Sequence, residues 1–348
     1  MDWFFLSLVA VLMFYGLFVL RSAVLGEAEG LFVRQVFWNV MGFSLMVSML
    51  FVREDTVKRF SKLLYVLALA FLVAVLFVGT EAGGSRRWIR TPVGGFQPSD
   101  LAKLALIVLL PEVLTEGRFW LSLTLATVPA ALVFVEPDLG TSVALIVVWF
   151  FAVLASRVRK KPLWILLLLC VAFFPIFFFF GLKDYQRVRI LAFLEPEKYG
   201  KTYSYNVIQS MSAIGSGGLF GKGYMRGTAN LMGLVPIAHT DFIVSVIGEE
   251  FGFLGILFTV SLYSLLLFRI ARWLPHVKSE YWEILMVSAS SLLWFHVLEN
   301  VSMCLGLLPV TGIPLPFVSY GGSSTLTFST IMGLVLKGIA IARIERKE

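Results

Sequence analysis

Trp3-Phe4-Phe5-Leu6-Ser7-Leu8-Val9-Ala10-Val11-Leu12-Met13-Phe14-Tyr15-Gly16-Leu17-Phe18-Val19-Leu20 is a run of 18 residues without a charge. As a helix rising 1.5 Å per residue it is about 27 Å long, close to the roughly 30 Å of a bilayer's hydrocarbon core. A secretory signal would have a basic start and a small-residue cleavage site. This run follows Met1-Asp2 and has neither, so it reads as a retained first span.

The rest of the chain repeats the pattern. Further apolar runs cover residues 36–52, 63–79, 100–114, 119–135, 139–156, 162–182, 240–268, 282–308 and 322–341. The expected fold is therefore all-α and polytopic, with about ten transmembrane helices and a large loop between the seventh and eighth. No repeat or low-complexity linker divides residues 1–348, so one domain is expected, with residues 183–239 as a loop within it. Composition agrees: 58% of residues are apolar even without glycine and 15% are charged, against about 45–50% with glycine and 25% in soluble domains, and the mean hydropathy is +0.87. These values exclude a soluble enzyme, a disordered chain and a disulfide-stapled module. Cys170 and Cys304 both lie in apolar runs and make no framework for disulfides or zinc.

The net charge of +7 is chiefly an orientation signal, because cytoplasmic loops collect Lys and Arg. With the N-terminus inside, the inner connections and tail hold 16 cations and the short outer connections five: Arg21, Arg34, Arg86, Arg87 and Arg90. Both termini are thus expected in the cytoplasm, and no nucleic-acid partner is implied. The polar and Gly/Pro-rich segments 79–99, 136–140, 183–239 and 309–323 then fall together outside. A site that gathers them would work at the outer leaflet.

Asp241, in His239-Thr240-Asp241-Phe242, opens the eighth span. A carboxylate there is expensive unless used or paired. It suits a general base and equally a helix-start carboxylate that complements the dipole; position alone leaves both open. Ser245, Gly248, Gly252 and Gly255 form a small-residue stripe that would admit another backbone or a substrate chain. Glu249 and Glu250 lie deeper and read as structural partners. In Gln97-Pro98-Ser99-Asp100-Leu101-Ala102-Lys103, Ser99 is a plausible N-cap. Asp100 and Lys103 share a face, so Lys103 would pair with Asp100, bind an anionic head group, or do both.

From Lys183 to His239 the loop carries Lys183, Arg187, Arg189, Lys198, Lys201, Lys222 and Arg226 against three acids. Cations kept on the outer side imply an anionic ligand such as a diphosphate; an ordinary solvated loop is the plainer account. The glycine-rich 213–223 stretch could nest a phosphate with backbone N–H groups, but it lacks the Walker spacing. Residues 309–324, which contain Ser319 and Ser323, are turn-rich between two spans and need a polar cavity or protein partners at that depth. His296, Glu299 and Asn300 lie near the outer end of the preceding span. No dedicated metal ligands and no organic cofactor motif are seen.

Together these motifs resemble the SEDS family (shape, elongation, division and sporulation proteins). Those in family order are Phe96-Gln97-Pro98-Ser99, Glu136-Pro137-Asp138-Leu139-Gly140-Thr141, Tyr205-Asn206-Val207-Ile208-Gln209-Ser210, the 215–223 glycines, His239-Thr240-Asp241-Phe242-Ile243 and Ser319-Tyr320-Gly321-Gly322-Ser323-Ser324. Three of the stretches, 206–210, 221–223 and 312–316, look more like elongation than division members. Two positions depart from the family: Asp100 and Ile237 stand where Glu is usual.

The resemblance implies a peptidoglycan glycosyltransferase in the bacterial cytoplasmic membrane, serving cell elongation and rod shape. It would polymerise lipid II at the outer leaflet with a class B penicillin-binding protein as partner transpeptidase, among membrane lipids. Asp241 takes the family's catalytic position, and Asp100 and Lys103 its carboxylate–lysine pair. Further substrate contacts are expected from Arg86, Arg87, Arg187, Arg189, Lys222, His239, Ser319 and Ser323. A divalent cation, Mg²⁺ or Mn²⁺, would be held through substrate phosphates. The rival expectation is a lipid II flippase. A flippase needs polar groups through the full thickness, whereas here they gather in the outer half.

Overall fold

Asp2 starts the first helix. In the computed structural model its carboxylate accepts the Phe5 N–H at 3.0 Å, filling one of the donors that a helix start leaves open. The structure describes residues 2–25, 29–82, 85–91, 94–176 and 205–346, together with Arg187, Leu191 and Phe193. The helices are α1 (Trp3–Ala23), α2 (Glu29–Ser48), α3 (Glu54–Val78), α4 (Pro98–Thr115), α5 (Phe119–Val135), α6 (Leu139–Ala155), α7 (Lys161–Ile176), α8 (Tyr205–Gly217), α9 (Thr228–Leu231), α10 (Ile243–Trp273), α11 (Glu280–Cys304) and α12 (Gly322–Glu345).

Among the described residues six helices are long and apolar enough to cross a membrane: α1, α2 with the short turn after it, α3, α10 with the turn after it, α11 and α12. The expected ten is not reached on that criterion. Helices α5 and α6 have 17 residues each, α4 carries Asp100, Lys103 and Glu112, and part of the expected seventh span lies outside the described residues.

Helix α4 is the axis of the bundle. It packs against α3, α5, α6, α11 and α12, and nearly all its residues are buried. That is why it is apolar on every side rather than along one stripe. The helix begins at Pro98 after Gln97, so Ser99 is not the N-cap; proline at the first position is already preset for a helical φ.

The segment 80–96, expected to be loop, instead pairs into a small antiparallel sheet, β1 (Thr80–Ala82), β2 (Ser85–Thr91) and β3 (Gly94–Phe96), in the order β1-β2-β3. Ile89 pairs with Phe96, and Thr91 with Gly94. A Cβ on Gly95 would stand 2.9 Å from the Trp88 ring, so glycine lets the indole lie flat on β3.

Helix α10 breaks at Gly252, whose φ of 66° and ψ of −161° leave helical space; glycine alone adopts that pair readily. The loop after α8 joins the two pieces. Its Lys222 and Gly223 N–H groups donate to the carbonyls of Glu249 and Glu250 at 2.9 and 3.0 Å. Its Gly218 and Leu219 carbonyls accept from Phe253 and Leu254 at 2.9 and 3.2 Å. The glycine-rich stretch therefore spends the Lys222 and Gly223 N–H groups on a helix break, which takes them from any phosphate. The small-residue stripe of α10 is likewise filled by this chain. A Cβ on Gly248 would meet Ile214 at 2.8 Å, and Ser245 bonds Ser210 of α8 at 2.6 Å.

Candidate active site

Strand β2 turns alternate side chains to opposite faces, and this aims Arg87 at the α5–α6 turn. Its Nη1 lies 3.5 Å from Asp138 Oδ2. Asp138 is the N-cap of α6: it accepts the Thr141 N–H at 3.0 Å, the Thr141 hydroxyl at 3.1 Å and Gln97 Nε2 at 3.4 Å. Two residues earlier Glu136 is buried, and neither of its carboxyl oxygens has a hydrogen-bond partner.

The 309–321 segment closes the other side. Gly312 has a φ of +75°, and a Cβ there would stand 3.2 Å from Asp241 Oδ2 and 3.6 Å from Arg87 Nη2. Carboxylate and guanidinium thus converge on one bare α-carbon. Asn300 Nδ2 donates to the Asp241 carbonyl at 2.8 Å and to that of Ile313 at 2.7 Å. The Thr311 hydroxyl donates to Glu299.

Asp241 is half-buried. Burial pushes its carboxyl above the ordinary value and the Asp138 charge adds to the rise, while Arg87 and the Thr240 hydroxyl pull the other way. A carboxyl so raised is a better base than a solvated one. Helix α10 has Phe242 as its N-cap and no side-chain cap hydrogen bond.

The other expected residues divide by place. Lys103 Nζ and Asp100 Oδ1 are 2.8 Å apart, both buried in α4, and the second Asp100 oxygen has no partner. The Ser319 hydroxyl donates to the Thr240 carbonyl at 2.6 Å and accepts from Leu315 N–H at 2.9 Å. Tyr320 N–H donates to the His239 carbonyl at 2.8 Å, and Ser323 Oγ accepts from Gln97 N–H at 3.3 Å. The Ser319 and Tyr320 contacts clamp the backbone before Asp241, and that of Ser323 ties the start of α12 to the entry of α4. Lys222 turns elsewhere: its Nζ is 2.7 Å from Glu249. Glu249 also takes the Ala229 N–H at 2.9 Å, and Glu250 accepts from the Ser22 hydroxyl. Arg187 is half-buried and engaged in a contact. The side chain of Arg86 and the whole of Arg189 lie outside the described residues. Among the described residues no group of three or more His, Cys, Asp or Glu could hold a metal ion. A divalent cation would depend on substrate oxygens for most of its ligands.

A model of cell cycle proteins, the FtsW/RodA/SpoVE family, matches residues 1–344. The chain belongs to this family. Peptidoglycan glycosyltransferase MrdB of Escherichia coli is 34% identical over 339 residues, covering 95% of this chain and 91% of that protein. Probable peptidoglycan glycosyltransferase FtsW of Geobacter sulfurreducens is 33% identical over 315 residues, covering 87% and 83%. A chain from a peptidoglycan synthase complex, solved to show how polymerization and crosslinking are coordinated, superimposes with a TM-score of 0.84 at 28% identity, covering 100% and 99% of the two chains. The rod shape determining protein RodA of Thermus thermophilus gives 0.73 at 28% identity, covering 100% and 98%.

Within this member of the FtsW/RodA/SpoVE family, sequence reasoning gave no role to Asp138, Glu136, Gln97 or Thr311. The signal was there: two carboxylates around Pro137 end an apolar run, where an idle charge is costly. Glu136 is pushed up to about 8, first by burial and then by Asp138, against the pull of Arg87. Its ordinary value is 4.5, so between pH 4.5 and 8 the folded protein keeps a proton that the unfolded chain has released. Stability must fall as pH rises through that window. Glu136→Gln should remove part of that fall, read as melting temperature against pH in detergent; an unchanged slope would show that Glu136 is ionised in the fold.

Proposed function

We infer that this chain is a peptidoglycan glycosyltransferase that polymerises lipid II at the outer leaflet of the bacterial cytoplasmic membrane, for cell elongation. One observation carries the reading: Asp241, its carboxyl raised by burial, faces Arg87 at a loop-built end of the bundle, in a chain 34% identical to a named enzyme of this activity. In the inferred step Asp241 takes the proton from the acceptor sugar's 4-hydroxyl. That oxygen forms a bond to the anomeric carbon of the growing chain's terminal sugar on the donor. The bond from that carbon to the diphosphate breaks, and undecaprenyl diphosphate leaves with the electron pair. Attack opposite the leaving group inverts the centre, with no covalent intermediate. Arg87 is the cation nearest to hand for the diphosphate, and the guanidinium fork suits phosphate oxygens. Lys103 and Asp100 pair at the start of α4, just after Gln97, which bonds Asp138. A divalent cation held by the substrate's phosphates would add charge neutralisation, and no step above depends on it.

The polymerase reading places both termini in the cytoplasm and the 218–242 loop outside, in accord with the bias of cations toward the other connections. Met232→Cys should react with a membrane-impermeant thiol reagent added to intact cells, and Arg118→Cys should not. Both side chains are well exposed. The reverse labelling would turn the site toward the cytoplasm and sink the outer-leaflet assignment. A class B penicillin-binding protein is the inferred partner, supported by the fold's likeness to a chain of a synthase complex that couples polymerization with crosslinking. The deciding assay incubates the purified protein with lipid II and no other polymerase, then resolves glycan strands on a gel. No strands from folded protein, with and without the transpeptidase, would leave the flippase reading in possession.

A further inference from the structure

Gln35 lies near the start of α2 and is only 2% exposed. Its amide is fully engaged. Oε1 accepts the Gly321 N–H at 3.0 Å, and Nε2 donates to Thr325 Oγ1 and to Asn39 Oδ1, each at 3.0 Å. A backbone N–H can only donate, so the Gly321 contact fixes which end of the amide is oxygen. The Thr325 hydroxyl accepts from Gln35 and donates to the Gly321 carbonyl at 2.8 Å, which closes a ring of three residues. Asn39 is anchored in turn, its Nδ2 donating to the Met13 carbonyl of α1 at 3.2 Å. Beside this ring a Cβ on Gly322 would stand 2.6 Å from the Trp38 indole, so α2 and the start of α12 meet in close contact.

We propose that Gln35 is a positioning residue for the glycosyl transfer: through Gly321 it sets the place of the segment that grips the two residues before Asp241. The inference rests on the reading of Asp241 as the base of lipid II polymerisation. Three successive residues divide the work. The Ser319 hydroxyl holds the Thr240 carbonyl, and the Tyr320 N–H holds that of His239. The Gly321 N–H reaches the other way, to Gln35 on α2. Satisfying a buried N–H asks only for an acceptor. Here both hydrogens of the accepting amide are tied to other groups as well, so the acceptor cannot swing, and the support of the site is locked before substrate arrives.

The test compares Gln35→Met with Gln35→Glu in the full chain. Initial rates of lipid II polymerisation are taken over a range of lipid II and normalised to folded protein, and each melting temperature is recorded. Methionine keeps the length and removes the acceptor; glutamate keeps an oxygen for the Gly321 N–H. Gln35→Met should lower kcat by up to about 10²-fold, the cost of a misplacement near 1 Å, with KM little changed. Gln35→Glu should keep most of the rate. A role in the fold alone would make rate follow melting temperature instead of the acceptor. Should Gln35→Met fail to fold, Gln35→Met with Asn39→Leu replaces both side chains of the buried amide pair, a change that can be nearly neutral, and still leaves the Gly321 N–H without its acceptor; the same loss of kcat is expected. Near-normal kcat in either folded methionine variant, equal losses with glutamate and methionine, or a raised KM at unchanged kcat would overturn the proposal. Failure of the polymerase reading shows differently, as wild type that makes no glycan at all, and would take the proposal with it.

Discussion

Asp241→Asn should leave a folded protein that makes no detectable glycan. The amide keeps the shape and cannot take the acceptor's proton, and base catalysis contributes about 10²–10⁴-fold. Stability should change little. The Asp241 carbonyl remains held by Asn300, and α10 has no side-chain cap hydrogen bond to lose. Even a full loss of helix-dipole complementarity would cost only about 0.3–1 kcal/mol. Lipid II binding should fall much less than turnover, because the diphosphate contacts are cationic. The acid limb of the wild-type rate profile supplies a second reading. The base form of Asp241 is lost as pH falls through its raised value, so the rate should decline at a higher pH than for a solvated carboxylate. Near-normal polymerisation by folded Asp241→Asn would move the base elsewhere; so far as position goes, Glu299 would be next, since its partner Thr311 adjoins Gly312.

Lys103→Ala should abolish polymerisation through a different route. It removes one half of a buried ion pair and strands Asp100, which already has one oxygen without a partner. Breaking a buried pair on one side costs about 3–5 kcal/mol, so a lower melting temperature in detergent should accompany the loss. The double variant Asp100→Leu with Lys103→Met separates fold from chemistry, because an apolar replacement of both partners is often near neutral. Recovered stability without recovered glycan would show that the charges serve the reaction. Wild-type glycan yield in stable Lys103→Ala would remove the pair from the site altogether.

The six long spans were legible because lipid imposes one rule, a long apolar helix, that composition displays directly. Asp241 stood out for the same reason, as a charge at the mouth of such a helix. Less legible was which loop cations reach it. Arg87 and Lys222 look alike in sequence, each in a polar stretch. Strand pairing aims Arg87 at Asp138, and the break at Gly252 brings Lys222 to Glu249. Both depend on contacts between distant segments, which local pattern does not carry. The glycines at 215–223 were ambiguous for a related reason. A backbone rich in N–H groups can cradle a phosphate or mend a helix, and only the partner decides.

The mended break in α10 also bears on how this chain can change over generations. Surface loops with small residues ordinarily absorb insertions and deletions. Residues 218–223 sit in such a loop by composition, yet both sides of a helix hang from them in fixed register. One added or deleted residue there would shift every donor and acceptor against Gly252 and displace the 243–251 piece that follows Asp241. The segment should therefore hold its length as strictly as a helix does.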